Sequence, residues 1–360
     1  MKTKPIKKTT KATKPKASRA TKPVSQPWGT KKPKTPAKTK MELLNYPDSI
    51  EEIELDGFPF TLDDVIGQEK AILQIQDILF AVKNKEVNSF WGLAPSKGIL
   101  FEGAPGTGKT MAVRAFVKEL NKEVSMYELR YIDIASRWID APIENLKQFF
   151  KMIESKSKEK HIVLFIDEIE GMIPNRDSGS IHETSTRRVD VFLEWMDGGL
   201  KQLKNVTVIG ATNYLDGVDK AALRPGRFDA IISFAEFDAE SMVEALKMHL
   251  TKYKLDEKLM GIINWDLIRN DFKHKTISGA ATELIVKNIL KSKSQEHLNN
   301  IKTKNSKFDA LKNQDKESII KDAKYFPSPI CTKDFMEGIK DYFLSSQYSN
   351  SKSNSLKTAI

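Results

Sequence analysis

The most constraining feature of the chain is the octapeptide GAPGTGKT, Gly103 to Thr110. It stands directly between an apolar run, KGILFE, and MAVRAFVKEL, whose apolar spacing is helical. Three glycines and a proline in eight residues break helix and sheet alike. A strand that turns through glycines into a helix presents successive backbone N–H groups, at the positive end of that helix, to an anion. Gly103, Gly108, Lys109 and Thr110 meet the pattern G-x-x-x-x-G-K-[ST]. Gly103, Ala104, Pro105, Gly106, Thr107 and Gly108 are therefore expected to cradle phosphate, with Met111 following on the helix. Lys109 is placed to reach β- and γ-phosphates and the Thr110 hydroxyl to ligate Mg²⁺. A plain strand-to-helix turn is the alternative.

Such a loop belongs on a parallel sheet, and the rest of the chain supplies one. Gly98–Phe101, Met126–Ile134, His161–Asp167, Asn205–Thr212 and Ala230–Phe237 are short runs rich in β-branched and aromatic residues, some apolar throughout. Helical segments such as Thr110–Asn121 and Ala141–Lys156 alternate with them. The fold class is thus α/β. Beyond Asp238 the strand signals stop, and Ala239–Lys254, Ala280–Lys293 and Thr332–Ser345 read as amphipathic helices. The expected organisation is an arm over residues 1–45, an α/β part over 46–237, a helical part over 238–345 and a disordered tail over 346–360.

Hydrolysis needs more than a phosphate cradle. In IVLFIDEIE, Asp167 ends a buried strand, where it is placed to hold Mg²⁺ through water, and Glu168 beside it to position and deprotonate a water molecule. Two adjacent acids there are costly without a cation, although a solvated pair remains an alternative. Asn213, after VIGAT, is placed to hydrogen-bond a γ-phosphate and the attacking water, or is a turn residue. Arg224 and Arg227 sit in a Pro-Gly turn, LRPGRFD. A guanidinium neutralises the charge that spreads in phosphoryl transfer, and one facing outward serves a neighbouring subunit's nucleotide.

Composition narrows the function classes. The net charge is +10, yet residues 1–40 carry fourteen Lys or Arg and no acid, so the remainder carries 10 − 14 = −4. The basicity is confined to a Lys/Thr/Pro arm with almost nothing to bury, a solvated linker or a contact for nucleic acid or an anionic surface. No apolar run is long enough for a membrane span, and no secretory leader is expected. The single cysteine, Cys331, fits a soluble protein of a reducing, cytoplasm-like compartment. Five scattered histidines offer no zinc spacing.

Taken in order, GAPGTGKT, IVLFIDEIE, VIGATN, LRPGRFD and ISGA closely resemble the AAA family in the narrow sense, within the AAA+ class of ATPases. The resemblance runs from Phe60–Ala71 to TKDFMEGIKDYF. It implies a P-loop sheet of strand order 5-1-4-3-2, a small helical lid, and a homo-oligomeric ring, commonly a hexamer, with ATP and Mg²⁺ at subunit boundaries. By this resemblance Asp167 and Glu168 form the Walker B pair, Asn213 is sensor 1, and Arg224 and Arg227 are arginine fingers acting in trans. Ile66 and Gly67 lie beside adenine, Gly279 and Ala280 close the lid over the nucleotide, and His249 approaches the ribose. The stretch IASRWIDAPIENLKQFF resembles the SKWMG pore loop of katanin-like and endosomal-sorting ATPases. Trp138 and Ile139 match and would grip a polypeptide, while Asp140 replaces the glycine. The expected function is an ATPase that remodels, unfolds or disassembles a protein partner. A nucleic-acid motor recruited by the basic arm and a non-hydrolysing nucleotide-binding scaffold are the alternatives.

Overall fold

The computed structural model describes residues 52–53, 58–93, 96–120, 124–130, 142–176, 183–201, 203 and 205–357. The basic arm, Trp138, Ile139 and Asp140 lie outside them.

Among the described residues six strands form one sheet: β1 (Glu52–Ile53), β2 (Gly98–Gly103), β3 (Val124–Arg130), β4 (His161–Asp167), β5 (Val206–Thr212) and β6 (Ala230–Phe234). Their order is β1-β3-β4-β5-β2-β6. The five long strands are parallel and, numbered among themselves, run in the expected 5-1-4-3-2 order. The addition is β1, an antiparallel edge strand on β3 in which Glu52 pairs with Tyr127 and Ile53 with Met126. Two residues are too short to show a period of two, so pairing alone defines this strand. It is tied down by the Glu52 carboxylate, which accepts from the Ser125 and Tyr127 hydroxyls and pairs with Lys160.

Helices α1 (Glu69–Lys83), α2 (Lys85–Phe90), α3 (Lys109–Leu120), α4 (Pro142–Lys156), α5 (Ile169–Met172) and α6 (Glu183–Glu194) belong with the sheet. After β6 come α7 (Ala239–Thr251), α8 (Trp265–Asp271), α9 (Gly279–Lys304), α10 (Asn313–Ile320) and α11 (Thr332–Lys357). The unbroken apolarity of β4 and β5 has the cause expected of it, a helical layer on each face. Successive residues of β4 divide between them: Ile162, Leu164 and Ile166 pack with Leu146, Phe149, Phe150 and Ile153 of α4 and Phe192 of α6. Val163 and Phe165 pack with Ile75 and Leu79 of α1 and with Val113 and Phe116 of α3. The later helices build a separate core from Met242, Leu246, Ile268, Ile285, Ile289, Phe335 and Ile339. No helix among the described residues is long and apolar enough to cross a membrane.

The strand expected over Ala230–Phe237 ends at Phe234, and two helices run well past their expected ends. Helix α9 runs to Lys304 rather than Lys293, and α11 runs to Lys357, well into residues 346–360, expected to be a disordered tail. The α9 extension is held at Ile301, which packs with Phe308 and Tyr325, whereas the α11 extension, rich in Ser, Asn and Lys, has no apolar period. Neither contains Pro or Gly, so the helix propagates one hydrogen bond per residue from a packed start.

The sheet positions the site. The register pairs Ile166 of β4 with Gly210 of β5, and Glu102 of β2 with Thr212 of β5, so the carboxyl ends of these strands lie side by side. The chain leaves β2 toward β3 on one side and returns from β5 to β6 on the other. The crevice outside the carboxyl ends at such a reversal is where open α/β sheets take their ligands.

Candidate active site

The loop after β2 is built on backbone geometry only glycine supplies. Gly103 has φ +147°, and a Cβ there would lie 2.2 Å from the Phe234 carbonyl oxygen. Gly106 has φ +76°, and its Cβ would lie 2.6 Å from that of Ala280. Among the described residues the amides of Gly106, Thr107 and Gly108 make no hydrogen bond within the chain. The loop therefore holds free donors at the N-terminus of α3.

Lys109, 7 % exposed, is folded back. Its ammonium donates to the carbonyls of Gly103 (2.6 Å) and Ala104 (3.0 Å) and to Oδ1 of Asn213 (2.8 Å). Burial lowers the affinity of this amine for its proton, while the carboxylates of Asp167 and Glu170 oppose the shift. Glu168 is a non-glycine residue in the left-handed region (φ 48°, ψ 51°) at the start of α5. Its backbone N–H donates to Oδ1 of Asp167 at 3.0 Å, and its side chain is exposed. That conformation costs of order 1 kcal/mol.

A cavity of about 450 Å³ opens over these groups. Its lining includes Ile66, Pro105, Gly106, Thr107, Gly108, Lys109, Thr110, Met111, Asp167, Glu168 and Asn213, joined from the later helices by His249, Gly279 and Ala280. Gly103 and Ala104 take part through the carbonyls that hold Lys109. Gly67 (φ +67°) sits just behind Ile66, against Ser241 and Phe237. The helical region meets the loop directly: the Ala280 amide donates to the Gly106 carbonyl at 3.1 Å. His249 is buried, which lowers its pKa, and the ammonium of Lys252 acts in the same direction. Arg224 and Arg227 stand apart from this cavity. Arg224 is exposed on its turn, and Arg227 is bonded to Asp197.

Other participants escaped the sequence reading. Buried Gln68 donates through Nε2 to the carbonyls of Thr107 (3.3 Å) and Ala235 (2.7 Å) and accepts from the Ala235 amide (3.1 Å), tying α1 to the loop and to the end of β6. Glu170 accepts from the Asn213 amide at 3.4 Å, and its other oxygen is buried with no partner. Phe60, Lys252 and Glu283 also line the cavity. The available signals were a polar residue directly after Ile66-Gly67 and a third acid within four residues of Asp167.

Free amides, a lysine and a hydroxyl facing two carboxylates suit a phosphorylated ligand with a hard cation. Thr110 and Asp167, oxygen donors on one cavity, fit Mg²⁺. Among the described residues no group of three His, Cys, Asp or Glu could hold a metal ion, so a cation here would draw its other ligands from phosphate and water.

Residues 99–236 match the family described as "ATPase family associated with various cellular activities (AAA)". The chain is 34 % identical over 198 residues to an ATPase family AAA domain-containing protein of Arabidopsis thaliana, covering 53 % of this chain and 16 % of the relative. It is 32 % identical over 199 residues to the human ATP-dependent zinc metalloprotease YME1L1, covering 55 % and 25 %. To the proteasome-activating nucleotidase of Sulfurisphaera tokodaii it is 31 % identical over 243 residues, covering 66 % and 59 %. The chain thus spans less than two thirds of the length of each of these relatives. The strand order, the glycine loop and the acids at the end of β4 are the structural counterpart of that match: the chain carries an ATPase domain of the AAA family, over residues 99–236.

Proposed function

We propose that this domain hydrolyses ATP and that copies of the chain assemble so that each turnover remodels or unfolds a protein partner. The observation that carries the reading is the convergence of Lys109, Thr110, Asp167, Glu168 and Asn213 on one cavity beneath free loop amides. The free amides of Gly106, Thr107 and Gly108 are available to the phosphates. Lys109 would exchange the Gly103 and Ala104 carbonyls for phosphate oxygens, and in doing so release Oδ1 of Asn213. Thr110 and Asp167 would hold Mg²⁺, which supplies charge neutralisation on the triphosphate. Water attacks the γ-phosphorus, the bond to the β-bridging oxygen breaks, and the proton of the attacking water passes to Glu168, leaving ADP and phosphate. Ile66 and Gly67 on one side, and His249, Gly279 and Ala280 on the other, would hold the nucleoside.

Assembly is supported by the position of the arginine turn. Arg224 and Arg227 do not line their own chain's cavity, so a guanidinium at the γ-phosphate would come from another copy. A protein substrate is supported by the names of two relatives, an ATP-dependent metalloprotease and a proteasome-activating nucleotidase. Trp138 and Ile139 are the residues proposed to grip it, in a ring that is a hexamer by family analogy.

Glu168→Gln tests the reading. The variant should bind ATP as tightly as wild type, turn it over at least a hundredfold more slowly, and accumulate as a stable assembly that light scattering detects. Unchanged turnover would remove Glu168 from the chemistry. The trapped assembly, isolated from lysate, should retain protein; retention of nucleic acid alone would favour the motor alternative.

A further inference from the structure

The cavity that gathers the phosphate-site residues is also lined by Phe60 and Lys252, to which the sequence reading gave no role. Phe60 is half-buried and Lys252 is exposed, so the pair stands at the rim rather than the floor. They come from opposite walls. Phe60 precedes α1, on the side of the chain that packs with the sheet, and Lys252 is the C-cap residue of α7. Across the opening Nζ of Lys252 lies 5.3 Å from the centre of the Phe60 ring, within the distance at which a cation is drawn to a π face.

Each partner is fixed to its own wall. Lys118 of α3 donates through Nζ to the carbonyls of Phe58 (2.8 Å) and Phe60 (3.4 Å), and the Leu62 amide donates to Oε1 of Glu119 on the same helix at 3.2 Å. The Phe58 ring meets that of Phe60 edge-on, centres 5.5 Å apart. The Thr61 amide and hydroxyl both donate to Oδ2 of Asp64, at 2.7 and 2.9 Å, which closes the turn that follows. Phe60 is thereby tied to the helix that begins at Lys109. On the other wall α7 is packed into the core of the later helices through Met242, Leu246 and Leu250. Among the described residues no ion pair draws the Lys252 ammonium away: Glu283 is bonded to Lys287 at 2.7 Å, and besides the ring Lys252 meets only Nδ1 of His249, at 3.4 Å. The contact with Phe60 is therefore a link between the two walls, placed at the end of the cavity beside His249.

We propose that Phe60 and Lys252 form a strap across the mouth of the cavity that sets how fast nucleotide enters and leaves, while taking no part in holding the phosphates or in the chemistry. It rests on the reading above that the cavity holds a nucleotide with its nucleoside beside His249. Opening of such a closure limits turnover in many enzymes. Because the strap is a contact between protein groups alone, parting it costs the same for a nucleotide going in as for one coming out. Its loss speeds both steps equally and leaves the equilibrium where it was.

The test uses the full-length protein and a fluorescent ADP analogue in stopped flow, with Kd measured separately by equilibrium titration. Phe60→Leu removes the π face and keeps apolar bulk; Lys252→Met removes the charge and keeps the length. Each should raise the association and dissociation rate constants together by about 2- to 5-fold, the size of an exposed cation–π contact, with Kd unchanged. The double variant should be no faster than either single one, because both remove the same contact. Phe60→Tyr and Lys252→Arg, which keep a ring and a cation, should return wild-type rates. Lys252 is exposed, so its variants test the strap even if Phe60→Leu loosens its segment.

Faster dissociation with association unchanged would mean that these side chains touch the nucleotide itself, and additive effects in the double variant would mean that they act separately. Either result, or wild-type rates in both single variants, overturns the strap. Wild-type protein that binds no ADP analogue would instead overturn the nucleotide reading on which the strap rests.

Discussion

At the scale of single residues, the site is governed by atoms that are absent as much as by those present. Gly106 can carry its carbonyl to the Ala280 amide only because no side chain stands between the loop and the first turn of α9. Gly106→Ala places a methyl group 2.6 Å from the Ala280 Cβ on a backbone at φ +76°. It both strains the loop and pushes α9 away from the cavity. The expected outcome is at least a tenfold loss of ATP affinity, measured by titration with a fluorescent analogue. Wild-type affinity would show that the contact does not shape the site. Lys109 follows a similar logic. Its ammonium occupies carbonyl acceptors that cannot be abandoned without compensation, so on the proposed function phosphate binding and release of Asn213 would be one event.

At the scale of elements, polar ties pin helices to the sheet, and one of them is sensitive to acid. Lys85, at the start of α2, donates to Nδ1 of His161 at 3.2 Å and to Oδ1 of Asn205 at 3.1 Å, while Nε2 of His161 meets the Thr207 hydroxyl at 3.1 Å. Burial, reinforced by the Lys85 charge, pushes the His161 pKa down to about 4, against an unfolded value near 6.5. Between these values the unfolded chain binds the extra proton, so the contribution is complete above pH 6.5 and is lost as pH falls toward 4. The loss is at most about 3 kcal/mol, at 1.36 kcal/mol per pKa unit. Urea midpoints measured from pH 7 to 4.5 should fall more steeply for wild type than for His161→Gln; parallel slopes would contradict the tie.

The elements also show what could be read from sequence and what could not. The strands β2, β4 and β5 and the loop after β2 were legible because their signals are local: unbroken apolarity, then glycines, then Lys-Thr. Helix α1 repeats its buried residues at Ala71, Ile75, Leu79 and Val82, a period that was present but not read. The two-residue β1, the clamp between Asp197 and Arg227 and the three-way tie through Gln68 join residues distant in sequence. Only the folded sheet brings them together.

At the scale of the whole molecule, the proposed function divides the reaction between one cavity and a turn that stands away from it. Lys109, Thr110, Asp167, Glu168 and Asn213 are gathered at the carboxyl edge of the sheet, where residues of α7 and α9 line one wall. Arg224 is exposed and stands away from that cavity. On the proposed function, a solitary copy would bind nucleotide without the cation that stabilises the transition state, and the missing guanidinium would be worth roughly 10³-fold or more in rate. The most direct test is ATP turnover per copy measured across protein concentration at saturating ATP, with assembly followed in parallel by light scattering. Turnover per copy should collapse as dilution separates the copies and return when they are concentrated. Turnover that stays constant down to concentrations at which only single copies remain would contradict the account.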